Sequence, residues 1–324
     1  MKAVLCKAYG PPDSLVVESA ASPVPGPGEV VVSVKAAGLN FPDTLIIQNK
    51  YQFKPPLPFS PGSEFAGVVK ARGAGAIRYQ VGQSVIGFMP FGAFAEEVKI
   101  DEAALAAMPE GMPFDVAAGF TLVYCTSYHA LVERANLRPG ETLLVLGAAG
   151  GVGLAAIEIG KACGARVIAA ASSDEKLAVC TEHGADLTIN YARESLRDRV
   201  KALTAGKGID VVYDPVGGPY SEQALRDIAW GGRFLVVGFA NGEIPKIPLN
   251  LPLLKNCSVV GVFWGALISH DPDAMSRVTG KLVDLYRQGK IKPRIHGRFP
   301  LTRVAEAMNL MLERKVAGKL ILVP

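Results

Sequence analysis

The chain has 324 residues, 49% of them hydrophobic, and a formal net charge of +4 from 34 basic and 30 acidic side chains. That length and apolar content exceed what one core usually supports and predict two domains, while the absence of any long Lys or Arg run speaks against nucleic acid or a membrane surface as partner. Five scattered cysteines without Cys-x-x-Cys spacing, and a start at Met1-Lys-Ala-Val-Leu-Cys6 without a signal-like apolar stretch, predict reduced thiols and a cytoplasmic location.

Residues 1 to 112 are rich in Pro and Gly, with short alternating runs such as Glu29-Val-Val-Val-Ser-Val-Lys35, the pattern of half-buried strands in an irregular β domain. Asn40-x-x-Asp43, ahead of Thr44-Leu-Ile-Ile47, reads equally as a helix cap and as a polar pair available for chemistry. Tyr51, in a Pro-rich loop, reads equally as a hydrogen-bond donor and as an aromatic packed on prolines. A long apolar helical stretch is predicted from Phe114 to Ala135, with Cys125 as a buried helix cysteine.

The most informative run is Glu141-Thr-Leu-Leu-Val-Leu-Gly147-Ala-Ala-Gly150-Gly151-Val152-Gly153, an apolar strand that breaks into a glycine turn and then a helix. This is the pattern of a dinucleotide site. Gly150 lets backbone amides approach a pyrophosphate, Gly153 lets the helix pack closely on the strand, and Gly151 and Val152 open a helix whose first N–H groups face the phosphates. The uncharged stretch Thr142 to Ile157 is shorter than the ~20 residues a bilayer span needs. The next strand, Ala165 to Ala170, leads into Ser172-Ser173-Asp174-Glu175-Lys176, where an NAD site would carry a carboxylate at the strand end. Ser172 and Lys176 suit a 2′-phosphate instead, which favours NADPH over NADH. Ser172-x-x-Glu175 also reads as a capping box, and Lys176 as a solvated helix residue.

Further strands at Leu187–Asn190, Val211–Tyr213 and Phe234–Val237, separated by helical patterns, predict an α/β fold with a doubly wound parallel sheet. Ser258-Val-Val-Gly-Val-Phe263-Trp264 is a flat apolar strand suited to edge pairing with a second copy; Phe263 and Trp264 read equally as pocket lining. Amphipathic helices are predicted around Asp273–Gln288 and Val304–Arg314. A last strand at Lys319–Val323 is expected to return to the N-terminal domain. The expected domains are therefore residues 1–122 with 267–324, and residues 123–266. The four histidines share no ligand spacing, so no metal site is expected.

Asn40-Phe-Pro-Asp43-Thr, Pro61-Gly-Ser-Glu64-Phe-Ala-Gly67, Ala148-Ala-Gly-Gly-Val-Gly153, Asp214-Pro-Val-Gly-Gly218 and Gly318-Lys-Leu-Ile-Leu322 together resemble the zinc-independent NADPH:quinone oxidoreductases of the medium-chain dehydrogenase/reductase superfamily. The resemblance runs over essentially the whole chain. It implies a GroES-like β-rich catalytic domain beside a Rossmann domain, NADPH as hydride donor, and a homodimer. It also implies that Asn40, Asp43 and Thr126 stand on the nicotinamide side, Tyr191 near the adenosine phosphate, and Phe239 with its backbone by the nicotinamide. Where zinc relatives place a Cys and a His-Glu pair, this chain has Asn40 and Ser63-Glu64. Without a Lewis acid to stabilise an alkoxide, reduction of an electron-poor quinone or α,β-unsaturated carbonyl is the expected chemistry. Two alternatives are a 2-enoyl thioester (acryloyl-CoA-like) reductase, for which Lys54, Arg294 and Arg298 could meet CoA phosphates, and a non-catalytic NADPH-binding or structural protein.

Overall fold

In the computed structural model, which describes residues 1–271 and 273–324, the chain divides into one unit of Met1–Leu122 with Pro293–Pro324 and a second of Val123–Lys292. The first unit begins with an antiparallel pair, β1 (Lys2–Leu5) and β2 (Val16–Ser19). Its spine is β3 (Glu29–Leu39), followed by the short helix α1 (Phe41–Ile46), then β4 (Glu64–Arg72), β5 (Ser84–Phe88), β6 (Glu97–Asp101), β7 (Leu105–Ala107) and α2 (Phe114–Ala118). One edge of β3 pairs with β4; along the other, β6 covers Glu29–Ser33. Val30, Val31 and Val32 are consecutively buried, so this strand is covered on both faces rather than on the single face that alternation predicts.

Gly119 ends α2, and the helical stretch expected over Phe114–Ala135 is broken there. It resumes as α3 (Thr121–Tyr128) and widens into a looser turn over His129–Arg134. The second unit then alternates strand and helix: β8 (Thr142–Leu146), α4 (Gly151–Ala162), β9 (Arg166–Ala171), α5 (Asp174–Glu182), β10 (Leu187–Asn190), α6 (Leu196–Leu203), β11 (Ile209–Asp214), α7 (Pro219–Arg226), β12 (Ile228–Val236), α8 (Asn250–Lys255), β13 (Ser258–Gly261), α9 (Trp264–His270) and α10 (Ala274–Arg287). Its six strands are parallel in the order β10-β9-β8-β11-β12-β13, a doubly wound sheet whose order reverses between β8 and β11.

The second boundary falls after Lys292 instead of at residue 267. Two contacts explain it. Thr279 of α10 is buried beside Cys125 at 3.8 Å, and the Lys292 N–H donates to both oxygens of the buried Glu158 at 3.1 Å, so α9 and α10 stay with the parallel sheet. Only β14 (Ile295–Pro300), α11 (Val304–Leu312) and β15 (Lys319–Val323) return to the first unit, where β15 pairs antiparallel with Ala37–Leu39 of β3. The apolar run after Ser258 is a strand only as far as Gly261. Trp264 turns into α9 and is buried against His129, while Phe263 stays exposed. Among the described residues no cysteine forms a disulfide, and no helix is long and apolar enough to cross a membrane.

Candidate functional site

In the second unit, β8 delivers the chain to the turn Gly147–Gly150 beside the point where strand order reverses, the position at which such sheets receive ligands. Gly150 is the N-cap of α4 and carries no side-chain cap, so the N–H groups of Gly151, Val152 and Gly153 at the helix start keep their donors for an incoming anion. Gly153 has no alternative here: a Cβ would lie 2.5 Å from the Ala148 carbonyl oxygen and 2.6 Å from that of Gly147. Ser127, next to Thr126 on α3, donates to the Val152 carbonyl at 3.0 Å and meets the Tyr213 hydroxyl at 2.9 Å, which fixes this turn from outside the motif. Thr126 itself is 9% exposed.

At the end of β9, Lys176 Nζ reaches Ser172 Oγ at 3.5 Å, so the two residues expected to meet a 2′-phosphate converge. The cap of α5 is Ser173, whose Oγ accepts the Lys176 N–H at 3.4 Å. The helix starts one residue later than a Ser172-x-x-Glu175 box requires, and Ser172 is thereby released from capping. Tyr191, half-buried after β10, packs against Tyr220 with ring centroids 4.5 Å apart. Beyond β11, the buried Asp214 accepts from the N–H groups of Val216 and Gly217 and from Ser221 Oγ, and shapes the 215–218 loop. Burial raises its pKa against these donors. That loop is stitched to the one after β12 by Ala240 N–H to Pro215 O and Asn241 N–H to Val216 O; half-buried Phe239 immediately precedes Ala240.

In the first unit, Asn40 and Asp43 do cap α1, with Asp43 Oδ2 accepting the Asn40 N–H at 2.8 Å. The Asn40 side chain also reaches beyond the cap. Its Nδ2 donates to Glu64 Oε1 at 2.9 Å and to Gly38 O at 3.3 Å, and its Oδ1 accepts from Lys319 Nζ at 2.6 Å. Lys319 also donates to Glu64 Oε1 at 2.8 Å and Leu39 O at 2.9 Å, while Glu64 Oε2 takes the Leu122 N–H at 2.7 Å. The ion pair is almost entirely out of solvent, 5% and 0% exposed. Gly38 must lack a side chain, because a Cβ would lie 2.6 Å from Glu64 Oε1. Neither Glu64 nor Lys319 was singled out as a site residue by sequence reasoning. The available signal was a charge opening each of two apolar runs, Glu64 ahead of Phe65–Val69 and Lys319 ahead of Leu320–Val323, since such a charge is rarely buried without a partner.

Asp43 is pushed up to about 7 by burial, opposed by the Asn40 N–H and by Lys319. Tyr51 is half-buried, and burial followed by the charge of Asp43 raises its phenol above the usual value, so it remains a donor at neutral pH. Arg298 is committed to Asp115 in an ion pair. Among the described residues no group of three or more His, Cys, Asp or Glu is arranged to hold a metal ion.

Residues 26–110 match the family described as Alcohol dehydrogenase GroES-like domain, and residues 151–280 that described as Zinc-binding dehydrogenase. The sequence is 42% identical to Quinone oxidoreductase-like protein 2 homolog of Nematostella vectensis over 99% of this chain and 88% of that protein. It is 35% identical to Synaptic vesicle membrane protein VAT-1 homolog of Rattus norvegicus over 100% of this chain and 84% of that protein. The structure is similar to that of Escherichia coli quinone oxidoreductase complexed with NADPH, with a TM-score of 0.94 at 29% identity and 100% coverage of both chains. The glycine turn, the parallel sheet and the β-rich unit with its returning strand have the same meaning as these likenesses: the chain belongs to the quinone oxidoreductase family of the medium-chain dehydrogenase/reductase superfamily.

Proposed function

We propose that the protein is an NADPH-dependent reductase that passes a hydride to quinones or related α,β-unsaturated carbonyls without a metal ion. The observation that carries this reading is the uncapped start of α4, together with Lys176 turned onto Ser172 where an NAD site would hold a carboxylate. The residues fit the cofactor. Gly150, Gly151, Val152 and Gly153 offer backbone N–H groups to a pyrophosphate, Ser172 and Lys176 hold the 2′-phosphate, and Tyr191 lies along the adenosine. Thr126, Phe239 and Phe263 are assigned to the nicotinamide end. NADPH, when bound, supplies the hydride. On the protein's side, Asn40 and Asp43 position, and Tyr51 donates a hydrogen bond to the acceptor oxygen as it gains charge. The apolar edge strand β13, with Val259 46% exposed, supports a homodimer formed by strand pairing.

Titration of both cofactors by fluorescence tests the first step. NADPH should bind more tightly than NADH, and Lys176→Ala should weaken NADPH selectively, by roughly ten- to hundredfold for a lost charge-assisted hydrogen bond of about 1.5–3 kcal/mol. Equal dissociation constants in the unmutated protein would sink the reading. Turnover of 9,10-phenanthrenequinone separates a reductase from a protein that only binds NADPH. Chelation should leave activity intact; stoichiometric zinc in elemental analysis overturns metal independence. A thioester reductase would need free basic groups for CoA, and Arg298 is already paired.

A further inference from the structure

The loops that follow β11 and β12 are fastened to each other at three points. Ala240 and Asn241 N–H donate to Pro215 O at 3.1 Å and to Val216 O at 2.8 Å, and Gly218 N–H donates back to Glu243 O at 3.1 Å. Asp214, the last residue of β11 and 2% exposed, sits where the two loops join. Its carbonyl takes the Val237 and Gly238 N–H groups, while its carboxylate takes the Val216 N–H at 2.8 Å, the Gly217 N–H at 2.9 Å and the Ser221 hydroxyl. An ionised carboxylate only accepts, so the three donors converge on one fixed point.

The joined loops reach the glycine turn through Val216. Strands β11 and β8 are neighbours, paired at Tyr213 and Val145, and a Cβ placed on Gly147 would lie 2.7 Å from Val216 Cγ2. The valine therefore stands against the first residue of the turn, in the space that a side chain on Gly147 would need.

We propose that Asp214 is a positioning residue for the dinucleotide: by fixing the Val216 N–H it seats the Val216 side chain against Gly147, and so holds the turn Gly147–Gly150 in the form that receives a pyrophosphate. The inference rests on the assignment of that turn to NADPH. Asp214 needs no contact with the cofactor, since its effect passes through Val216. A defect in Asp214-Pro-Val-Gly-Gly218 is then felt at the pyrophosphate, and not at the 2′-phosphate assigned to Ser172 and Lys176 beyond β9.

Hydrogen exchange tests the brace without any ligand. The Gly150 N–H closes the turn on Gly147 O at 3.0 Å, and it should exchange about tenfold faster in Asp214→Ala and in Val216→Ala, with the amides that pair β9 and β10 unchanged. Should Asp214→Ala not fold, Ser221→Ala, which releases one oxygen of the carboxylate, takes its place. A Gly150 amide that is unprotected in the unmutated protein, or that exchanges no faster in a folded variant, overturns the brace. Fluorescence titration tests the consequence for binding. Each substitution should weaken NADPH about tenfold, and the two together should cost no more than the larger single loss, because both act along one path. Adenosine 2′,5′-bisphosphate, which lacks the pyrophosphate and the nicotinamide, should bind all variants alike. Losses that multiply, or an equal loss for the bisphosphate, overturn the positioning role. If neither NADPH nor the bisphosphate binds the unmutated protein, the cofactor reading fails, and the exchange measurement still decides the brace.

Discussion

The turn Gly147–Gly153 and the Asn40–Glu64–Lys319 cluster are both ordered arrays of hydrogen-bonding groups, but they are made differently. In the turn the donors are backbone amides, left without a side-chain cap, and every side chain but that of Val152 is hydrogen or methyl. In the cluster the groups are side chains from segments far apart in sequence, and their charges are balanced internally before any ligand arrives. The first array therefore keeps its capacity for a ligand, while the second spends most of its own on geometry. Substitutions should fail differently in the two places.

The largest effect is expected at the cluster. Lys319→Ala strands the Glu64 carboxylate in the core, and losing one partner of a buried pair typically costs about 3–5 kcal/mol. A chemical denaturation midpoint unchanged by this substitution would erase the contrast with the turn. Gly153→Ala comes next, at about 1–3 kcal/mol, because its Cβ meets backbone carbonyls that cannot rotate away. Here NADPH affinity should fall together with stability, whereas in a folded cluster variant binding of the 2′-phosphate end should stay intact.

These two regions also differ in how far the sequence discloses them. The turn is local: strand, glycines and helix follow one another within thirteen residues from Glu141 to Gly153, and their order alone carries the site. The parallel sheet is legible for the same reason, as each strand and its helix are neighbours in the chain. The cluster is assembled across separations of 24 and 255 residues, and no periodicity reports a contact of that kind. Asn40 and Asp43 could be picked out, but not the fact that one would cap a helix with its backbone while its amide was held by a cation from the last strand. The helix break at Gly119 was missed, and so, on a smaller scale, was the Ser173 cap, where two adjacent serines differed by one residue of helix start.

A third measurement sharpens the electrostatic side of the comparison. Asp43 has its pKa raised to about 7 from an ordinary value near 4, so the native state holds a proton that the unfolded chain releases. Its contribution to stability is fully present below about pH 4 and is lost as pH rises through about 7. Asp43→Asn keeps an acceptor for the Asn40 N–H and removes the charge, so the variant should gain a few degrees of melting temperature over the unmutated protein at pH 8 and little at pH 5. A constant difference across that range would mean Asp43 does not titrate there. The smallest effect belongs to the cofactor side: Ser173→Ala should cost about 1 kcal/mol of stability as a lost cap and leave the preference for NADPH over NADH unchanged. Ser172→Ala should do the reverse, which thermal melts and cofactor titrations on the same pair of variants resolve.

The return of β15 to the first unit sets an order for events on the ribosome. Residues 123–292 form a contiguous unit and can fold as soon as they emerge. The segment before them cannot finish: until residues 293–324 have been made, β3 lacks its neighbour along Ala37–Leu39, and Glu64 is a carboxylate waiting for its cation. The inserted unit thus matures while the surrounding one is held open. A nascent chain stalled before Lys319 should expose the Asn40 region to protease while the parallel sheet is already resistant.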